Sequence, residues 1–244
     1  MEFLGEVFAW FTDAGTWSGR NGMAGLLFEH LWISGVALAI GVAIGLPLGL
    51  AIGHTGRGSV AVVSIANIGR AVPSLGLMGL AFLLLLPVGL GVGPLPAIIA
   101  LALLAIPPVV VNTYAGMREV DRELIEAARG MGMRSLQVIS RVEIPVALPV
   151  ILAGVRTSAV QVVATATLAP LVGGGGLGVP IIIGFNTGDE VRVFGAALIV
   201  AALSIGTELA FAAIQRAGTS PGLRSSRPAL PEPAQLALPG GGTT

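Results

Sequence analysis

Long apolar runs fill most of the chain, and short polar stretches separate them. Five runs are long enough to cross a bilayer, because about 20 helical residues at ~1.5 Å rise each span a hydrocarbon core of ~30 Å. The pattern predicts membrane spans over residues 31–52, 59–86, 97–114, 142–168 and 193–214. The fold class is therefore an all-α membrane protein, a polytopic helical bundle of about five transmembrane helices.

Prolines interrupt two of these spans. Pro73, in the segment 70–74, must break or kink the second span, and Pro107 with Pro108 predicts a second kink in the third. Arg70 lies beside the first break. Its side chain either extends to the headgroups or faces a polar path next to the broken helix, and the sequence leaves both open.

The fourth span is the most polar. Polar side chains in a membrane bundle usually face its interior, so this span is the candidate lining of a path. With the residues at the break, the candidate set is Arg70, Pro73, Ser74, Arg156, Ser158, Gln161 and Thr165. The alternative is that these side chains only bond neighbouring helices.

Glycines mark two further features. In the first span, Gly35, Gly41, Gly45 and Gly49 fall on nearly one face, which predicts close helix packing. The run at 173–178 lacks the Gly-Lys-Ser/Thr ending of a phosphate loop and follows a membrane span. It predicts a sharp turn into a short, re-entrant segment at 179–185.

A charged loop, residues 118–141, lies between the third and fourth spans. Ten of the 26 acidic and basic residues fall between Arg118 and Glu143. Spacings of four, four and three predict a helix whose apolar face is Val120, Leu124, Ala128 and Met131. Gly130 and Gly132 predict its end, and Ser135 is a candidate N-cap for a second helix. The loop should lie at the membrane surface and present a face to another protein.

Composition agrees with a membrane protein. The 244 residues are 54% hydrophobic and 11% charged, with a mean hydropathy of +0.90 and zero net charge, so nucleic acid is not an expected partner. Cysteine is absent, which excludes disulfides and thiol catalysis. His30 and His54 have no metal-ligand spacing, so we expect no metal and treat both as polar residues at the membrane interface.

The ends of the chain differ from its centre. Residues 1–30 predict an external interfacial segment with a helix over 2–12, residues 31–216 the membrane domain, and 217–244 a disordered tail. Nine arginines in the polar segments lie on the side of the charged loop and two, Arg20 and Arg192, on the other. The positive-inside rule then puts the N-terminus outside and the C-terminus in the cytoplasm.

The charged loop resembles the EAA loop of permease subunits of ATP-binding-cassette (ABC) importers. That pattern is EAA, three residues, G, nine residues, then I-x-L-P. Five of its fixed positions are kept, and two hydrophobic positions hold conservative replacements. The matching residues are Glu126, Ala127, Ala128, Gly132, Val142 (for isoleucine), Ile144 (for leucine) and Pro145.

The resemblance implies a type I ABC importer permease in a prokaryotic cell membrane. The loop would dock in a cleft of a cytoplasmic ATPase subunit, a second permease copy or paralogue would complete the pore, and an external or lipid-anchored binding protein would deliver the solute. ATP and Mg would bind the ATPase, since this chain has no phosphate loop of the Walker type. We therefore expect no catalytic residue and no cofactor in this chain.

Further segments narrow the resemblance. The segments 46–58, 67–80 and 107–133 look like those of permeases for glycine betaine, choline, carnitine or proline. Methionine permeases share the loop and the broken second span, so methionine stays an alternative solute. An ion-coupled secondary carrier needs an intramembrane carboxylate, for which Glu208 is the candidate. A membrane enzyme, a further alternative, would need a nucleophile and a base.

Overall fold

The computed structural model describes residues 2–19, 22–58, 60, 62, 64 and 71–219. Arg70, most of the first half of the predicted second span and residues 220–244 of the predicted tail lie outside the described residues. The predicted domain boundaries at residues 30 and 216 stay predictions.

Helices make up nearly all of the described chain. The long ones are α3 (Met23–Thr55), α5 (Pro94–Arg118), α8 (Ile144–Thr165) and α10 (Glu190–Gly218). The shorter ones are α1 (Glu2–Thr12), α2 (Ala14–Trp17), α4 (Ser74–Leu85), α6 (Arg122–Gly130), α7 (Ser135–Val138) and α9 (Gly178–Thr187). A 3-10 segment, Leu86–Val88, follows α4, and another, Ala166–Val172, follows α8.

Four segments of the described chain are long and apolar enough to cross a membrane. They are Met23–Thr55, Pro94–Arg118, Ser135–Val172 and Glu190–Gly218. Each contains one predicted span and extends beyond it, because polar residues at the ends continue the helical backbone past the apolar core. Two shorter apolar stretches, Ser74–Val88 and Gly178–Thr187, accompany them. The all-α membrane fold is confirmed.

Pro73 ends the helical backbone in the second span, as predicted. Val72 and Pro73 are not helical, Pro73 has an extended backbone (φ −64°, ψ 123°), and α4 begins at Ser74. Proline tolerates this place because the first amide of a helix has no partner within that helix. By contrast, α5 runs without interruption through Pro107 and Pro108.

Glycines let α3 and α5 pack closely along their lengths. Cβ atoms added at Gly45, Gly49 and Gly53 would lie 3.1, 2.6 and 2.5 Å from side chains of α5, and one at Gly41 would collide with Ala105. Gly35 is different, since it is exposed and has nothing within 4 Å of such an atom. The packing face therefore continues to Gly53 and omits Gly35, which corrects the predicted set.

The glycine run at 173–178 wraps around the start of α3. The amide of Gly176 donates to the Glu29 carboxylate (3.0 Å), and the amide of Leu177 donates to Nδ1 of His30 (3.3 Å). On its other side, Nε2 of His30 donates to the carbonyl of Val163 (2.9 Å). His30 is fully buried in the protein; its predicted level at the membrane interface stays a prediction. His30 joins three segments inside the bundle.

Candidate functional site

The charged loop folds as a short, well-capped helix outside the bundle. Asp121 precedes α6, and its carboxylate accepts a hydrogen bond from the amide of Glu123 (2.9 Å), as an N-cap does. Within α6, Glu126 and Ala127 are exposed, whereas Ala128 is 2% exposed. The motif thus turns Glu126 and Ala127 outward and anchors Ala128 against the protein.

Gly132 closes α6 in a Schellman motif. Its amide donates to the carbonyl of Arg129 (2.9 Å), and the next amide, of Met133, donates to the carbonyl of Ala128 (3.2 Å). Gly132 has φ +83°, the left-handed region that favours glycine. Gly130 is the last residue of α6 and has no positive φ. The predicted reversal of the chain is confirmed at Gly132.

The predicted apolar face of the loop divides into two parts. Val120 and Ala128 are buried, but Leu124 is 45% exposed and Met131 is 74% exposed. Leu136, just beyond the turn, is 78% exposed. We call Leu124, Met131 and Leu136 the exposed apolar patch. Helical periodicity places these residues on one face but does not distinguish the part that packs on the bundle from the part left for a partner.

The second helix begins differently from the prediction. Arg134 is the N-cap of α7, and its amide donates to Oε1 of Gln137 (2.8 Å); Ser135 is the first helical residue. A π-turn, Ile139–Glu143, then joins α7 to α8.

The helix that contains the span after the loop starts at Ser135, before Val142 and Pro145, so Pro145 does not set its start. Pro145 has no amide hydrogen to bond the carbonyl four residues before it. Directly before it, the amide of Ile144 bonds the carbonyl of Ile139, five residues back. Val142 and Ile144 are half-buried and Pro145 is exposed.

A cavity of about 430 Å³ lies between α4, α5 and α8. Thr157, Gln161 and Thr165 reach it from one face of α8, since a spacing of four residues aligns them. The remaining lining residues come from the start of α4 and from α5: Val72, Ser74, Leu104, Pro107, Pro108, Val111 and Asn112. These side chains are neutral, with hydroxyl and amide groups set among apolar ones.

Three of the predicted path residues, Ser74, Gln161 and Thr165, line this cavity. Sequence reasoning missed Asn112 and Thr157, and also the proline pair of α5. The signal was available, since Asn112 is a polar residue in an apolar span, one turn after Pro108, whose carbonyl its side chain bonds (2.8 Å). Pro107 and Pro108 also leave two carbonyls of the preceding turn without amide partners in the helix.

Arg156 and Ser158 do not line the cavity. Arg156 bonds Glu208 (2.9 Å) and Gln215 (3.1 Å) of α10, and Ser158 donates to the carbonyl of Ala105 on α5 (3.0 Å). Their neighbour Thr157 faces the cavity, and successive helical residues point about 100° apart, so these two face elsewhere. Both side chains bond neighbouring helices, as the alternative interpretation of the polar span predicts. Pro73 lies between two lining residues, and Arg70 lies outside the described residues.

Residues 41–217 match the family model described as the binding-protein-dependent transport system inner membrane component. The matched region contains the charged loop and the residues of the cavity. The chain belongs to this family. It is therefore a multi-pass permease subunit of the ABC importer class, and we call it the permease.

Relatives of known description cover most of the permease. The glycine betaine/carnitine/choline transport system permease protein OpuCB of Bacillus subtilis is 40% identical, over 82% of this chain and 89% of that protein. The osmoprotectant import permease protein OsmW of Salmonella typhimurium is 35% identical, over 83% and 94%.

Among solved structures, a chain of the MetNI methionine ABC transporter in an inward-facing conformation is 26% identical, with a TM-score of 0.71 over 81% of the permease and 96% of that chain. The type I importer fold is confirmed. No group of residues that could hold a metal occurs in the part of the chain that the structure describes.

Proposed function

We propose that the permease carries a small osmoprotectant, such as glycine betaine, choline, carnitine or proline, across the cell membrane in an ATP-driven importer. The single observation that carries this proposal is the exposed apolar patch on the charged loop, whose capped helix α6 also exposes Glu126 and Ala127. Exposed apolar side chains on a polar loop indicate a protein partner. The substrate class rests on the descriptions of the relatives.

The partner of this surface is a cytoplasmic ATPase subunit. Small Ala127 permits close approach, and exposed Glu126 can pair with a basic group of the ATPase. ATP and Mg bind to that subunit, and the permease contributes no catalytic residue and no cofactor. The charged loop and the C-terminus lie in the cytoplasm and the N-terminus outside, in agreement with the distribution of arginine.

The cavity is the candidate translocation path. A neutral lining with hydroxyl and amide groups accommodates a zwitterion or a cation without holding it tightly, as release requires. Its described lining contains no aromatic side chain, so cation–π capture of a quaternary ammonium group is absent from this part of the path. Selection of the solute therefore belongs to an external binding protein, and a second permease copy or paralogue completes the pore.

Uptake of radiolabelled glycine betaine tests this proposal. Cells with and without the gene are compared at high osmolarity, with proline, choline and methionine as competitors. We expect uptake that needs the gene, fails on ATP depletion and survives a proton uncoupler. Competition by methionine alone would indicate a methionine importer, and sensitivity to the uncoupler alone would indicate an ion-coupled carrier.

Gln161→Leu tests the path itself. The substitution keeps the approximate volume and removes the amide from the cavity. We expect solute uptake to fall about tenfold, the factor that corresponds to one lost hydrogen bond of the stronger kind, with unchanged amounts of assembled importer. Thr207→Val is the matched control, because its hydroxyl bonds the carbonyl of Leu203 within α10 (2.8 Å), away from the cavity. Equal uptake by both variants would refute the proposal that the cavity is part of the translocation path.

A further inference from the structure

A buried hydrogen bond joins the end of the first long helix to the end of the charged loop. Nδ1 of His54 donates to Oε2 of Glu143 across 2.7 Å. The side chains are 15% and 3% exposed, respectively. His54 lies in the last turn of α3, and Glu143 is the last residue of the π-turn before α8. The bond therefore connects two segments that are 89 residues apart in sequence.

Glu143 lies where movement of the charged loop must enter the bundle. The loop continues through α7 and the π-turn directly into α8, so α8 follows the loop covalently. Around this junction, Met117, Val120, Ala147 and Ile151 form a buried apolar cluster against which Ile125 of α6 packs. A π-turn contains one residue more than an α-helical turn, so it changes the direction in which the following side chains point. Such turns occur frequently at functional sites.

Unlike α8, α3 does not follow directly from this junction along the backbone. Its contacts with α5 run along the glycine face, where Gly49 and Gly53 meet Thr113 and Met117. Such a smooth face holds two helices close together, but it contains no polar bond to fix their position along the axis. The bond between His54 and Glu143 supplies a directional link between α3 and the loop.

We propose that His54 and Glu143 are a positioning pair that makes α3 move with the charged loop when the ATPase acts on that loop. This inference rests on the proposed importer function. A carboxylate that is 3% exposed keeps its partner through a movement, because separation would leave a buried charge without a hydrogen bond. The force on the loop thus reaches α3 as well as α8.

The test uses the complete importer, with its ATPase and binding protein, in proteoliposomes. Solute uptake and ATP hydrolysis are measured in the same vesicles. We expect His54→Leu to lower the uptake per ATP hydrolysed about tenfold, the factor for losing a hydrogen bond to a charged group. His54→Asn should keep most of the uptake per ATP hydrolysed, because Nδ2 of asparagine occupies the place of Nδ1 of histidine and still donates a hydrogen bond to Glu143.

A double variant separates transmission from simple stabilisation. His54→Leu with Glu143→Leu leaves no buried polar group unpaired, so the thermal stability lost in His54→Leu should return in large part. We expect uptake per ATP to stay low. Recovery of that ratio together with stability, or an unchanged ratio in His54→Leu, would overturn the proposal.

A second readout does not depend on the solute. Spin labels at Thr55→Cys and Arg129→Cys, both exposed positions outside the apolar patch in a chain without cysteine, report the distance between the end of α3 and the loop. With ATP bound to the ATPase, the distribution of distances between the two labels should be narrow in the permease that keeps His54. In His54→Leu this distribution should broaden. Equal distributions would contradict the pair, whereas failure of the unaltered importer to move betaine would refute only the proposed function.

Discussion

Gly132 fixes the shape of the charged loop through its backbone. Its φ of +83° lies in a region where a side chain costs about 1–2 kcal/mol, and more for a β-branched residue. The space around it is open, since nothing lies within 4 Å of an added Cβ. The constraint is therefore conformational and not steric.

Gly132→Val should uncouple uptake from ATP hydrolysis without preventing membrane insertion, because it displaces the turn after α6. Uptake per ATP should fall several-fold in reconstituted importer. Gly130→Ala is the matched control, since Gly130 is helical, has equally open surroundings and should tolerate alanine. Normal transport by Gly132→Val would show that the turn does not matter for docking.

Gly49 is constrained by its neighbours instead. A methyl group there would lie 2.6 Å from Cβ of Thr113 and 3.0 Å from the carbonyl oxygen of Val110. Gly49→Ala should lower stability by about 1–3 kcal/mol, the usual cost of overpacking, as measured by thermal unfolding in detergent. Gly35→Ala, on the open face of the same helix, should leave the melting temperature unchanged. Equal melting temperatures would contradict the packing.

At the scale of elements, α8 has two different faces. One face presents Thr157, Gln161 and Thr165 to the cavity, and another holds Arg156 against α10. Gln215 strengthens this contact, because its amide donates to the carbonyl of Pro149 (2.8 Å) while its oxygen accepts from Arg156 (3.1 Å). The position of the cavity lining thus depends on α10.

Arg156→Met and Glu208→Leu should each destabilise the permease by about 1.5–3 kcal/mol, the range for a hydrogen bond to a charged group. Each single change removes the opposite charge from the remaining residue, although Arg156 keeps its bond to Gln215 (3.1 Å) when Glu208 is replaced. The double variant should cost clearly less than the sum, as thermal unfolding in a double-mutant cycle would show. Strict additivity would mean that the two side chains do not interact.

At the scale of the whole molecule, the charged loop and the α9–α10 turn lie at opposite ends of the bundle. The N-terminal part of α3 packs with Leu177 and Ala196, whereas its last turn contacts Glu143 beyond the loop. The charged loop and the α9–α10 turn are therefore expected on opposite sides of the membrane.

Labelling of single cysteines in this cysteine-free chain tests the orientation. Asn186→Cys, exposed near the α9–α10 turn, should react with a membrane-impermeant maleimide in right-side-out vesicles. Met131→Cys should react only in inverted vesicles of the permease without its ATPase. The reverse pattern would place the charged loop outside and refute its docking to a cytoplasmic ATPase.

Local periodicity explains what could be predicted about the elements. Long apolar runs, the break at Pro73 and the glycine turn of the charged loop depend on neighbouring residues, and the structure confirms all three. The helices extend beyond the predicted spans, because apolar content reports membrane depth and not the end of the helical backbone. The start of the second loop helix was predicted to within one residue, at Ser135, but its continuation into α8 was not predicted.

The sequence by itself determined the class of the protein, the location of its helices and the motif by which the family is recognised, since each depends on residue types at short spacings. Only the tertiary structure decided which polar residues meet. It directed Gln161 to the cavity and Arg156 to α10, buried His30, and paired His54 with Glu143. Those contacts join distant parts of the chain, and in a helix a shift of one residue turns a side chain by about 100°.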